Sequence, residues 1–420
     1  TQCIKGNMEH RRVVITGLGA LTPIGHGKDG LWKGVKEGRT GIRTITRFDT
    51  SQIKTKVAGE IDDFDPLNFL DTKSARRMDR FAQLALAGAN MAIEDAGVEY
   101  DPKKTQEKIG VTFGTALGGV AGAEVQHERY VKDGIKAVDP NLALMVFGGA
   151  GSSNIAIHYG FTGPSNANSN SCSSGAIAIG EAFRYVRDGY ADMMVAGSAE
   201  APLYALTFSA FTIIRSMSTN ADPISACRPF DLQRDGFVMG EASAVLVLEE
   251  LGSAIRRGAH IYAELLGYAC NNDAFHLVQP RPDGESAVRV MRDALSEAGI
   301  SPADIGYINA HASATVLNDK CETFAIKKVF GPESKIPISG TKAMHAHALG
   351  ATGAVEAVIC SMMFEGNYIP PTIHLSTPDP DCDLDYVPNI GREARVDYIL
   401  SNSFGFGGIN AALVFGRYNQ

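Results

Sequence analysis

One stretch constrains this chain more than any other: Asn168-Ser169-Asn170-Ser171-Cys172-Ser173-Ser174-Gly175-Ala176, leading straight into Ile177-Ala178-Ile179-Gly180-Glu181-Ala182-Phe183. A run of small polar residues meets a single cysteine, and an apolar pattern of helical spacing begins at once. Small residues permit a tight turn, and the first amides of the helix then lack intrahelical partners. Those amides and the positive end of the helix dipole favour negative charge beside Cys172. The expectation is a thiol drawn below its usual pKa of about 8.5, each unit being worth about 1.4 kcal/mol toward thiolate. The ordinary alternative is a buried structural cysteine. The rest of the chain decides between them.

Apolar runs closed by glycine or polar turns mark strands at 12–19, 109–115, 191–197 and 242–249. Phe81, Leu84, Ala85, Gly88, Met91 and Ala92 carry helical spacing, ended by Gly97. Strands alternating with helices predict an α/β fold with helix-covered sheets. The second half repeats the plan. Residues 305–311 parallel 109–115, and His347-Ala348-Leu349-Gly350 parallels Cys172-Ser173-Ser174-Gly175. Such self-similarity predicts two related halves facing each other. They are placed at 11–258, carrying the cysteine, and 259–420, carrying two histidines. Residues 1–10 read as a tag remnant or processed leader, since Thr1 stands where an initiating methionine would.

A net charge of −8 argues against nonspecific binding to nucleic acid or an anionic membrane. Seven cysteines without a CxxC pair fit free thiols in a reducing compartment. No apolar run approaches the roughly 20 residues that span a bilayer. A cytoplasmic protein is expected, or one of plastid or mitochondrion if a transit peptide has been removed. His345 and His347 could chelate a metal, but the Cys/His spacing of structural zinc sites is absent. A cysteine with His311 at a strand end and His347 before a helix start points instead to nucleophilic catalysis.

Taken in order, several motifs resemble one family: Asn170-Ser171-Cys172-Ser173-Ser174-Gly175, Arg228-Pro229-Phe230-Asp231, residues 234–241, Asn309-Ala310-His311, Gly340-Thr341-Lys342-Ala343-Met344, His347, and Ser401-Asn402-Ser403-Phe404-Gly405-Phe406-Gly407-Gly408. From about Arg11 onward the chain is similar to the elongating β-ketoacyl-acyl carrier protein synthases (synthase II) of the thiolase superfamily. The resemblance implies a thiolase-like fold, two pseudo-symmetric halves layered α/β/α/β/α. It implies decarboxylative Claisen condensation in fatty acid, polyketide or polyene biosynthesis. The partners would be an acyl carrier protein and malonyl and acyl thioesters, with no cofactor or metal and no contact with nucleic acid or membrane. A homodimer is implied, or a heterodimer with a related subunit.

Carried over by position, Cys172 would hold the acyl group, and His311 and His347 would flank the malonyl thioester carbonyl. Lys342 would tune the charge of the site and hydrogen-bond water or Glu322, a supporting glutamate. The amides of Cys172 and Phe406 would form the oxyanion hole, with Phe406 as an aromatic gate. Ser313, Thr315 and Phe404 would bind the substrate arm, and Leu117 would line the acyl pocket. Lys73, Arg76, Arg77, Arg129 and Arg215 would meet the carrier protein. The nearest alternative is a type II polyketide ketosynthase working with a chain-length-factor partner. A noncatalytic chain-length factor is disfavoured by Cys172, and a biosynthetic thiolase by the two histidines.

The chain departs from the family pattern at His311-Ala312-Ser313-Ala314-Thr315 (usually His-Gly-Thr-Ser-Thr), at His345-Ala346-His347 (usually Thr-Gly-His), and at Asn170-Ser171 before the cysteine (frequently Thr-Ala). Together these departures suggest a specialised synthase.

Overall fold

The computed structural model describes residues 10–419, so all of the expected leader except His10 lies outside the described residues. The first half supplies strands β1 (Val13–Thr22), β2 (Ile109–Gly114), β3 (Ser165–Asn168), β4 (Met193–Glu200) and β5 (Ala242–Glu250). The second supplies β6 (Ala263–Asn272), β7 (Tyr307–Asn309), β8 (Ile338–Ser339), β9 (Tyr398–Gly405) and β10 (Ile409–Gly416). Their order is β3-β2-β4-β5-β1 in one half and β8-β7-β9-β10-β6 in the other. The orientations match as well. β2 runs parallel to β3 and β4, and β7 to β8 and β9, while the remaining neighbours are antiparallel. The two sets join where Val13, Val14 and Ile15 pair with Leu265, Glu264 and Ala263.

Helices α1 (Arg80–Asp95), α2 (Ser174–Arg187), α3 (Glu285–Ala298), α4 (Val316–Phe330) and α5 (Thr352–Gly366) complete the layers. α1 covers the outer face of the first set and α3 that of the second, while α2 and α5 lie between them and touch both. α1 starts where the buried Asp79 side chain accepts from the Phe81 amide, satisfying one unpaired N–H. Both β1 and β5 are covered on both faces, which is why they read as unbroken apolar runs. The five-layer thiolase-like arrangement is the one the resemblance implies. No described helix is long and apolar enough to cross a membrane.

The central helices meet at two glycines. A Cβ on Gly175 would sit 2.8 Å from the Ala354 nitrogen, and one on Gly353 2.9 Å from that of Ala176. This contact corrects the register of the internal repeat. Each helix is preceded by a 3-10 turn, Ser171–Ser173 or Leu349–Ala351, whose first residue has a positive φ (53° and 42°). Cys172 therefore corresponds to Gly350, and Gly175 to Gly353. His347 lies three residues earlier, on an extended segment that bridges to Met239. The sequence parallel matched glycines and alanines, whereas the backbone turn sets the equivalence.

Candidate active site

Cys172 occupies a turn held by its small neighbours. The Ser174 hydroxyl donates to the Ser171 carbonyl (2.7 Å) and accepts from the Asn170 amide (2.8 Å). Ser173 donates to the Ile409 carbonyl at 2.7 Å, tying the turn to β10 of the other half. A larger side chain at either serine would break these bonds, so the run of small polar residues is a geometric requirement.

Histidines of the second half complete the site. His347 Nε2 lies 3.2 Å from Cys172 Sγ, and its Nδ1 lies 2.9 Å from the Thr352 hydroxyl. The His311 ring stands edge-on to that of His347, centroids 5.4 Å apart. Burial, reinforced by the charge of Lys342, pushes both imidazoles well below their ordinary pKa. At neutral pH both rings are therefore uncharged, each with one N–H to donate. Phe237 packs edge-on against His347 at 5.2 Å.

The thiol departs from the sequence expectation. Burial pushes it up to about 11, outweighing the lowering by the Ser171 hydroxyl, by Lys342 and by the Phe406 amide. A helix start cannot offset this much desolvation when the sulfur is enclosed. The resting group is thus a thiol. Alkylation of Cys172 by iodoacetamide is expected to climb about tenfold per pH unit from pH 7 to 10. A plateau reached by pH 8 would show a thiolate prepared in advance.

Lys342 also differs from expectation. Its Nζ pairs with Glu356 at 2.6 Å and donates to the His311 carbonyl, all of it buried. Glu322 is engaged elsewhere, accepting from the amides of His311 and Ala312 at 2.8 Å each. Two carboxylates thus brace the backbone and the charge around His311, where one was anticipated. Burial raises the Glu322 pKa to about 7.

A cleft of about 310 Å³ opens onto Cys172, His311 and His347. Ser313, Thr315, Phe404, Phe406 and Arg215 line it too, and the two hydroxyls lie 3.0 Å apart. The Phe406 ring stacks on Phe211, centroids 6.4 Å apart. Leu117 does not line this cleft. It packs on the apolar cluster that contains Cys172 and Phe208. Lys73, Arg76 and Arg77 are exposed around a separate shallow basin that also includes Asp139. Arg129 is exposed on the helix Val120–Asp133. Arg215 lines the catalytic cleft instead, and none of the five basic residues forms an ion pair among the described residues.

Sequence reasoning passed over Thr352, Glu356 and Glu200. Glu200 is fully buried at the end of β4, accepting from the Thr115 hydroxyl (2.8 Å) and the amides of Ala116 (2.6 Å), Leu117 (3.1 Å) and Gly350 (3.1 Å). It joins the Leu117 loop to the turn after His347. The signal was available, since Glu200 is the one charged residue of a strand that is apolar but for Ser198.

The profile of the β-ketoacyl synthase N-terminal domain matches residues 10–254, and that of the C-terminal domain matches residues 262–376. The chain is 46% identical over 414 residues to 3-oxoacyl-[acyl-carrier-protein] synthase 2 of Synechocystis sp., covering 98% of this chain and 99% of that protein. Among solved structures, the ishigamide ketosynthase/chain length factor matches with a TM-score of 0.92 and 36% identity, covering 98% of this chain and 100% of that one. A type II polyketide ketosynthase bound to hexaketide, in complex with its acyl carrier protein, matches with a TM-score of 0.89 and 34% identity, covering 97% and 100%. Similarity at this level, spanning both halves, leaves one conclusion: the chain belongs to the β-ketoacyl synthase family of acyl-transferring condensing enzymes.

Proposed function

We propose that this chain is an elongating β-ketoacyl synthase in which Cys172, His311 and His347 divide a decarboxylative Claisen condensation. The observation that carries the reading is the 3.2 Å approach of His347 Nε2 to Cys172 Sγ, with the His311 ring beside them in one cleft. In the first half-reaction the Cys172 sulfur attacks an acyl thioester. The acyl–sulfur bond to the carrier breaks, and the thiol proton leaves with the carrier thiolate. The amides of Cys172 and Phe406 face the transient oxyanion. In the second, malonyl thioester loses CO2, and charge gathers on its thioester oxygen. With Thr352 donating to Nδ1, His347 presents Nε2–H to that oxygen, and His311 supplies a second donor. The enolate carbon then attacks acyl-Cys172, the new C–C bond replaces the acyl–sulfur bond, and the expelled thiolate takes a proton from solvent to restore the resting thiol. Ser313 and Thr315 hold the phosphopantetheine arm, and Phe406 gates its entry.

The protein reaction partner in this reading is an acyl carrier protein, as in the related ketosynthase complex. Lys73, Arg76, Arg77, Arg129 and Arg215 steer its acidic surface by charge. The reading includes a homodimer. β3 is an outer edge strand with one side unpaired. The helix Val120–Asp133 and the two it contacts, Leu142–Val146 and Ala205–Ile213, expose Tyr130, Val131, Leu144, Leu206 and Ile213. An open edge and exposed apolar side chains both suit an interface. It also includes a cytoplasmic setting and no bound cofactor. The alanines and extra histidine beside His311 and His347 favour a specialised polyketide or polyene role.

Incubation with malonyl-carrier protein and a panel of acyl thioesters, followed by mass spectrometry, tests the reaction and reads the chain length accepted. An ordinary long-chain fatty acyl profile would count against the specialised role. Charge reversal at Arg76 and Arg77 together is expected to raise the KM for carrier-bound substrate roughly tenfold. A small thioester surrogate should be unaffected, and equal effects on both would sink the docking role.

A further inference from the structure

His345 takes no part in the chemistry above, yet its ring is fully buried beside the site, at the end of the short helix Lys342–His345. Nδ1 lies 2.8 Å from the Ala346 carbonyl and Nε2 3.0 Å from the Thr341 hydroxyl. A carbonyl can only accept, which assigns the proton to Nδ1 and leaves Nε2 to accept from Thr341. Burial, with the charge of Lys342, pushes the ring's pKa down to about 3. The polarity of both bonds is therefore constant across any working pH.

The accepting carbonyl belongs to a strained residue. Ala346 has φ 63° and ψ 178°, a region open essentially to glycine alone. Its methyl leaves no room for side chains at Gly59 or Gly240, whose Cβ atoms would lie 2.7 and 2.8 Å from it. The next residue is His347, whose amide donates to the Val238 carbonyl at 2.7 Å and whose Nε2 faces Cys172. A displaced Ala346–His347 peptide would move that imidazole.

We propose that His345 is a positioning residue, whose Nδ1–H holds the Ala346 carbonyl so that the strained peptide keeps His347 against Cys172. The inference rests on reading His347 as a donor in condensation, though the contact itself can be probed without turnover. A buried histidine serving only to fill space would need the right size and polarity. A brace needs its donor in one place, and becomes dispensable once the strain is removed.

Asparagine places its N–H near the Nδ1 position and glutamine near Nε2, so the two variants separate these roles. His345→Asn is expected within about threefold of the parent in condensation kcat and in the rate of Cys172 alkylation at fixed pH. His345→Gln should lose about tenfold in kcat, with KM for malonyl-carrier protein little changed, and alkylation should fall several-fold. Adding Ala346→Gly to His345→Gln, which relieves the backbone, should restore both rates to within about threefold. His345→Gln at parental rates, or a double variant as slow as the single, overturns the proposal. Should the glutamine variant not fold, Thr341→Val releases the other end of the ring. It should cost about tenfold in kcat, recovered to within about threefold by Ala346→Gly, and no loss counts against the brace. If the parent protein itself performs no condensation, the functional reading falls, and the alkylation series still decides the brace.

Discussion

Cys172→Ala is expected to lower condensation by roughly 10⁴–10⁶-fold, the scale seen when a catalytic nucleophile is removed. No acyl adduct should then be found on the chain by mass spectrometry. Decarboxylation of malonyl-carrier protein should persist, because the enolate is stabilised by the two imidazoles and needs no bond to sulfur. The two half-reactions are thus separable at one atom. Unchanged condensation in this variant, or an acyl group recovered on another residue, would remove Cys172 from the mechanism. The substitution itself is mild, since it deletes one sulfur from the apolar surroundings formed by Phe208, Met239 and Leu349.

The histidines should separate the same two steps from the other side. Losing one donor to a developing oxyanion typically costs about 2.7–4 kcal/mol, or roughly 10²–10³ in rate. His311→Ala is expected to impose that loss on malonyl decarboxylation while acylation of Cys172 proceeds. His347→Ala should slow both steps, because its Nε2 also touches the Cys172 sulfur at 3.2 Å. Two groups acting on one oxygen are not independent, so the double variant should fall short of the product of the single losses. Stopped-time assays of 14C-labelled CO2 release and of acyl-enzyme formation read the steps separately. A His311→Ala protein that decarboxylates normally but acylates slowly would invert the assignment.

How much of this was legible beforehand depended on what each residue had to do. The strands at β1, β2, β4 and β5 could be read because burial on both faces leaves an apolar run in the chain. Cys172, His311 and His347 stood out because reactive types sit beside turns and helix starts. The state of the thiol did not, since a dipole at a helix start is a local property while desolvation depends on everything packed around the sulfur. Nor did the partner of Lys342. Glu322 and Glu356 are both buried carboxylates in the second half, and only the fold aims one at the ammonium and the other at the amides of His311 and Ala312. The register of the repeat was misjudged for a similar reason. Small residues recur too often in these helices for identity to align them, and the positive φ at Ser171 and Leu349 is invisible in one-letter code.

That corrected register changes how the duplicated architecture relates to its chemistry. The counterpart of Cys172 is Gly350, and the space for a second nucleophile there is closed. A Cβ would lie 2.5 Å from the Ala116 nitrogen and 2.8 Å from Glu200 Oε2. Two copies of the turn therefore yield a single reactive position. The halves have become complementary parts, one presenting sulfur and the other the imidazoles, and neither could turn over substrate alone. On the proposed mechanism the repeat therefore offers one place for an acyl group, the second being closed by the packing around Gly350.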